Sequence, residues 1–190
     1  MDLSSILNHF RDLGLNLNSD WLAGLELVHE DPLTDDDVYF ALMYSDLRES
    51  CLSTMRPYRS KFPKGSFLFQ ITASEDISIP AAQRPRTSGS SNQRMLKFSL
   101  HSGPGSPLFA VELEHMPELQ DCPDAGMKIV IQAEPMVING ILFIKKENVR
   151  IVGGDVASLL QMQTNDISMK IRSRDPLTYR NPQSEILNLQ

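Results

Sequence analysis

Cysteine is scarce in this chain: Cys51 and Cys122 are the only two, far apart and in no ligand-like or redox spacing, which suits reduced thiols in the nucleus or cytosol. Long apolar runs are missing as well. No stretch approaches the roughly 20 residues that span a bilayer, and the opening MDLSSILNHF lacks the basic region and apolar block of a signal peptide. A soluble, intracellular protein with no membrane association is expected. Positive charge is also short, with a net charge of −6 and a pI near 5.2, so the surface as a whole repels phosphate and any nucleic-acid contact needs a local basic patch. A protein partner is the better first expectation. Catalytic constellations are lacking too: His9, His29, His101 and His115 are scattered, and there is no HExxH, CxxC or GxSxG. No catalytic residue, metal or cofactor is expected, and the chain is not read as an enzyme. Gly103-Pro104-Gly105 reads as a connecting turn. Asp35-Asp36-Asp37 reads as the acidic first turn of a helix, since Phe40 stands where a calcium loop needs glycine.

What is present is organised around residues 128–160. Asn139-Gly140 lies between two apolar, β-branched runs, the strongest short-range hairpin signal, because both residues tolerate the positive φ of a primed turn. A last short strand is expected over Arg150 to Val152. Gly153-Gly154 then turns the backbone into a helix from Asp155 to Met162, with Val156, Leu159 and Leu160 on one face. Asn139, Gly140, Gly153 and Gly154 are thus expected to be structural turn residues.

The start of the chain has helical periodicity. Leu3, Ile6, Leu7, Phe10 and Leu13 mark one helix between Asp2 and Gly14; Trp21, Leu22, Leu25 and Val28 mark a second, capped at Ser19. Thr34 with Asp37 resembles a capping box that opens a third, carrying Val38, Ala41 and Leu42 inward and running to about Arg48. From Phe67 the period becomes two. Phe67, Phe69, Ile71 and Ala73, then Leu96, Phe98 and Leu100, then Phe109, Val111 and Leu113 are expected on buried faces, with Lys128 to Ile138 and Ile141 to Lys146 as further strands. Pro135 marks an edge or a bulge within the fourth. The fold class is therefore α+β: a three-helix bundle over 1–50, a connector over 51–64, a five-stranded OB-type barrel over 65–163, and a mostly irregular polar tail over 164–190.

A long segment, residues 77–93, is inserted between the first two strands and is rich in Pro, Ser, Gly and Gln. It is either a functional insertion or a disordered connector, and composition does not decide. Arg84 and Arg86 occur there and Arg94 directly after it, with no acid between them, and Ile79-Pro80 offers an apolar anchor. Lys145 and Lys146 read either as a solvated strand end or as contacts, whereas Trp21, Phe67 and Phe98 fall on apolar stripes and belong in the core.

KKENVRIVGGDVASLL at 145–160 resembles the K-x-E-N-V-x-V-L-G-G-E-V-x-x-L signature of the RecQ-mediated genome instability protein family, first subunit, and less closely that of its tudor-containing relatives. Asp46-Leu47-Arg48, Pro63-Lys64-Gly65, Asp76-Ile77-Ser78 with Pro80, and Arg94-Met95-Leu96 resemble further family strings in the same order and spacing. The resemblance implies a helical bundle fused to an OB barrel, nuclear, acting as a non-catalytic partner of a type IA topoisomerase, topoisomerase III. In that family the complex includes a RecQ-family helicase and dissolves double Holliday junctions, and the insertion influences opening of the topoisomerase gate. Ile79, Pro80, Arg84 and Arg86 are then the expected loop contacts, with Lys145, Glu147, Asn148 and Val149 beside the barrel, and DNA contact is weak or indirect. Longer members bind a small second OB subunit through a C-terminal domain; no matching segment occurs here, so that partner is not expected. The rival expectation is an OB module that binds single-stranded nucleic acid, which requires exposed aromatics and a basic groove.

Overall fold

The computed structural model of the chain describes residues 3–12, 14–52, 61–78, 94–119 and 123–172, with side chains to 165. Helix α1, Leu3–Asp12, buries Ile6 and Phe10 as its spacing requires. Gly14 ends it at φ 83°, so that Gly14 N donates to the Arg11 carbonyl and Leu15 N to that of Phe10. This pair of bonds is the usual glycine-terminated helix end, and Leu15 returns to the cluster that holds Phe10.

Helix α2, Ser19–Val28, is capped by Asn18 rather than by Ser19, because the Asn18 side-chain oxygen already reaches Asp20 N at 3.0 Å. Leu22 is buried, but Val28 faces solvent together with Leu27, since the whole last turn of α2 is exposed. Helix α3, Asp35–Tyr44, begins with the expected capping box: Thr34 Oγ1 accepts from Asp37 N, and the Asp37 carboxylate accepts from Thr34 N. It stops at Tyr44, short of Arg48. Ser45 and Asp46 are extended, and the Asp46 carboxylate accepts from Arg48 N to start a separate turn, α4, Leu47–Ser50. Among the described residues up to Ser50, four helices replace the three expected. Their shared core is built from Ile6, Phe10, Leu22, Leu33, Val38, Leu42 and Leu47.

The remaining strands form one sheet: β1 Phe67–Asp76, β2 Leu96–His101, β3 Leu108–Glu112, β4 Lys128–Ile131, β5 Met136–Ile138, β6 Ile141–Ile144 and β7 Val149–Gly153, in the order β5-β6-β3-β2-β1-β4-β7. Neighbours are antiparallel except β3 and β6, which run parallel. The α+β class and the OB-type sheet stand, with seven strands in place of five. One addition is β7, the short last strand, which pairs with β4. The other arises because 128–138 is two strands: Ala133 and Glu134 take φ 57° and 44° before Pro135, and the left-handed pair turns the chain out of register.

Burial follows the expected alternation in β2, where Leu96, Phe98 and Leu100 are fully buried, and departs from it in two places. In β1 the register slips between Ile71 and Ala73, leaving Thr72 as an extra residue, so Ala73 is exposed. In β3 only Val111 of the three residues expected inside is buried; Ala110 and Glu112 are buried beside it, while Phe109 and Leu113 are exposed. Phe62, assigned from sequence to a connector, is buried against Phe67 and Phe69 in the barrel core. After β7, helix α5, Ala157–Arg172, sets Leu159 beside Val156 and Ala125 and runs well past Met162 into the stretch expected to be irregular. No helix among the described residues is long and apolar enough to cross a membrane.

Candidate interaction face

Asn139 and Gly140 take φ 51° and 80°, the two positive values a type I′ turn demands, and this turn joins β5 to β6 with Ile138 opposite Ile141. The hairpin extends the sheet past β3 and leaves β5 as its edge. Residues opposite one another in register share a face. Phe109, Ile141 and Ile138 therefore form one cross-strand row, and Val111, Phe143 and Met136 the next. Phe109, Met136 and Ile138 are 39%, 49% and 46% exposed, with Leu113 exposed just beyond β3. Lys97 on β2 lies across from Val111 and holds its ammonium 5.1 Å from the Phe109 ring centroid. The outer side of β3, β6 and β5 is thus an apolar face of three strands, open at Phe109, Met136 and Ile138 and covered at Val111, with Lys97 at its border. A contiguous exposed apolar face of this kind is what a protein–protein contact uses.

The residues singled out after β6 divide. Lys145 and Glu147 are on the surface and pair with each other, Nζ to Oε2 at 3.4 Å, while Lys146 pairs with Glu118. Asn148 is inside. Its Nδ2 donates to the Ala133 carbonyl at 3.2 Å and reaches that of Gln132 at 3.4 Å, while its own carbonyl accepts from Gln132 N, so it holds the left-handed turn between β4 and β5. Val149 is half-buried and packs on the barrel core. Ile79, Pro80, Arg84 and Arg86 lie outside the described residues. Arg94, grouped with them by charge, is buried instead and paired with Glu112 at 3.4 Å.

A second polar cluster, missed in the sequence, joins the helices to the sheet. Asp46 and Leu47 meet the outer side of β1 at Gln70, whose Oε1 accepts from Leu47 N at 3.0 Å and whose Nε2 donates to Asp46 Oδ1 at 3.0 Å. Arg48 grips the same carboxylate through Nε and Nη2 at 2.5–3.0 Å. Burial alone would raise the Asp46 pKa, but the hydrogen bonds from Arg48 and Gln70 outweigh it and hold it below the ordinary carboxylate value. His101 lies opposite Gln70 on β2; burial, then the Arg48 charge, lowers its pKa. Lys128 at the head of β4 is fully buried and donates to the Ser45 carbonyl at 2.8 Å. A Gln inside FLFQI and a Lys opening an apolar strand were the available signals, because a buried polar side chain needs a partner from another element.

This cluster makes stability depend on pH in a defined way. Burial pushes the Lys128 pKa from 10.5 down to about 8, against the attraction of Asp46, Asp155 and Cys51. Burial pushes the Cys51 thiol from 9.0 up to about 11, with Ser50 and Lys128 acting in the other direction. Between about pH 8 and 10.5 the unfolded chain keeps the lysine proton that the folded chain has lost, so this group makes stability rise with pH. Between about pH 9 and 11 the folded chain keeps the thiol proton, so that group makes it fall. The net gain is confined to about pH 8 to 9 and is on the order of 1 kcal/mol. Urea unfolding across this range is expected to show the rise, and Lys128→Met is expected to remove it and leave only the fall above pH 9; a profile unchanged by the substitution contradicts the assignment.

Among the described residues no group of His, Cys, Asp or Glu is placed to hold a metal ion. A family model described as RMI1, N-terminal OB-fold domain, matches residues 48–166, from α4 through the first part of α5. A comparison with curated proteins finds no match.

Proposed function

The chain belongs to the RMI1 N-terminal OB-fold family, and on that premise we propose that it is a non-catalytic scaffold of a topoisomerase III and RecQ-family helicase complex in the nucleus. In this reading it docks on the type IA topoisomerase and supports decatenation and double Holliday junction dissolution. The observation that carries the docking step is the apolar outer face of β3, β6 and β5, with Phe109, Met136 and Ile138 in solvent at the open end of the sheet. Lys145 and Glu147, an exposed ion pair that follows β6 directly, supply charge at the end of that strand, and a polar rim is usual around a protein contact. The inserted segment, with Ile79, Pro80, Arg84 and Arg86, contributes separately by favouring one state of the topoisomerase gate over the other, which shifts strand passage without chemistry by this chain.

Two measurements separate these roles. Met136→Glu with Ile138→Glu puts charge on side chains that are already half in solvent, so the fold persists, and affinity for purified topoisomerase III is expected to fall about a hundredfold. Equal binding by the double variant removes the docking face. Deleting residues 84–93 is expected to change decatenation more than complex formation; unaltered decatenation ends the gate role. The rival reading, a single-stranded nucleic-acid module, has Phe109 with Lys97 in its favour and the net charge of −6 against it. Tight, strongly salt-dependent binding of single-stranded DNA by the isolated protein would replace the scaffold reading with that one.

A further inference from the structure

Helices α2 and α3 carry large apolar side chains in solvent. Leu27 and Val28 end α2 at 88% and 83% exposure, and Phe40 and Tyr44 on α3 are 66% and 53% exposed. Among the described residues only Met162 joins these four as the most exposed large apolar side chains. Phe40 and Tyr44 are one turn apart, with ring centroids 5.0 Å from each other, so they present one aromatic surface. Asp36, exposed, precedes Phe40 by one turn on the same stripe. The end of α2 reaches the first turn of α3, where His29 Nε2 stands 3.8 Å from Asp37 Oδ1, so Leu27 and Val28 end about one helical turn before Phe40 along α3.

The charge along these two helices has one sign. No Lys or Arg occurs between Arg11 and Arg48, while nine of the chain's 24 acidic residues fall in that stretch. Asp46 alone among them is buried against an arginine. Exposed aromatics in an acidic field are poor contacts for nucleic acid or anionic lipid, whose phosphates the field repels, and for a second copy of the chain, which carries the same charge. They suit a cationic polypeptide, because a guanidinium or ammonium is drawn both to the carboxylates and to the ring faces. We propose that the α2–α3 face docks a short amphipathic segment of a partner protein, one that sets Lys or Arg beside one or two aliphatic or aromatic side chains. This surface is distinct from the β3–β6–β5 face, and it stands whether or not the topoisomerase reading does.

The probe is a fluorescent amphipathic peptide of Leu and Lys, titrated with the full chain and followed by anisotropy, with a Leu and Glu peptide of the same pattern as the contrast. The Leu/Lys peptide is expected to bind and the Leu/Glu peptide not. Phe40→Ser with Tyr44→Ser leaves the net charge unchanged and is expected to weaken binding at least about tenfold. Leu27→Ser with Val28→Ser, on a different helix, is expected to do the same, and Asp36→Lys to weaken binding about as much. Glu114→Lys, the same charge reversal at an exposed acid outside the face, is expected to change little. Full-strength binding by both serine double variants overturns the proposal, as does equal weakening by Asp36→Lys and Glu114→Lys, which would reveal attraction to the acidic surface as a whole.

Discussion

Replacing Arg94 by methionine is expected to lower stability by about 3–5 kcal/mol, although the residue begins as one of three arginines in a polar, inserted stretch. The reason is where its guanidinium goes. Arg94 and Glu112 side chains are 4% and 1% exposed, and Arg94 Nη2 donates to the Met116 and Leu119 carbonyls at 3.0 and 2.6 Å as well as facing Glu112 Oε1. Glu112 in turn accepts from Leu96 N at 3.1 Å and Met116 N at 2.7 Å, so one ion pair ties the start of β2, the end of β3 and the turn after it. Methionine fills the volume but leaves the Glu112 charge buried without its counter-ion, and an unpaired buried charge is among the few defects that cost this much. Adding Glu112→Leu is expected to restore part of the loss, because the stranded charge goes too. The recovery stays incomplete, since Leu96 N and Met116 N then lack their acceptor. Urea unfolding of the two single variants and the double variant gives the coupling. A loss below about 1 kcal/mol for Arg94→Met would mean that water reaches the pair and that the turn is held by something else.

That same pair explains why β3 was misread. Phe109, Val111 and Leu113 are the larger apolar side chains, and period-two reasoning puts the larger set inside, where only Val111 is buried. The decision was made by Glu112, which is buried because Arg94, a residue of another strand's approach, neutralises it. No local pattern contains that information. Elsewhere local chemistry sufficed: the Thr34–Asp37 box, the Gly14 helix end and the Asn139-Gly140 turn need only neighbours within a few residues, and each forms as its residues require. β2 was legible because both of its faces follow the rule, with three apolar residues inside and Lys97 and Ser99 at intermediate exposure.

Gln70 and Lys128 were illegible for a different reason, since the outer side of β1 and β4 is not a solvent face at all. Helices α3 and α4 cover it, and polar residues there serve as anchors for Leu47 N, Asp46 and the Ser45 carbonyl. The family string Asp46-Leu47-Arg48 acquires a physical account in this way: a carboxylate clamped by the arginine two residues on, and pointed at a glutamine in the sheet. On the candidate face, the turn residues were visible in the sequence, whereas the apolar rows were not, because they exist only once β3 pairs in parallel with β6.

Substituting each glycine of the Gly153-Gly154 pair by alanine is expected to separate two tasks that look identical in the sequence. Both residues have positive φ, 98° and 78°, where an L side chain costs about 1–2 kcal/mol. A Cβ on Gly153 would meet nothing within 4 Å, so Gly153→Ala is expected to cost about that amount and no more. A Cβ on Gly154 would stand 2.3 Å from the Met43 carbonyl oxygen and 3.0 Å from its carbon, and neither can swing away because both are backbone at the end of α3. The only relief is to move the helices off the sheet, which breaks the Ser45 to Lys128 and Leu47 to Gln70 bonds that lie beside the contact. Gly154→Ala is therefore expected to cost more than about 4 kcal/mol, the combined scale of the strained backbone and of a broken buried polar cluster. Amide exchange is expected to localise the damage, with faster exchange at Leu47 N in Gly154→Ala and no such change in Gly153→Ala. Equal losses for the two variants would show that the chain accommodates a methyl group between β7 and α3, and that the close approach is not what the second glycine is for.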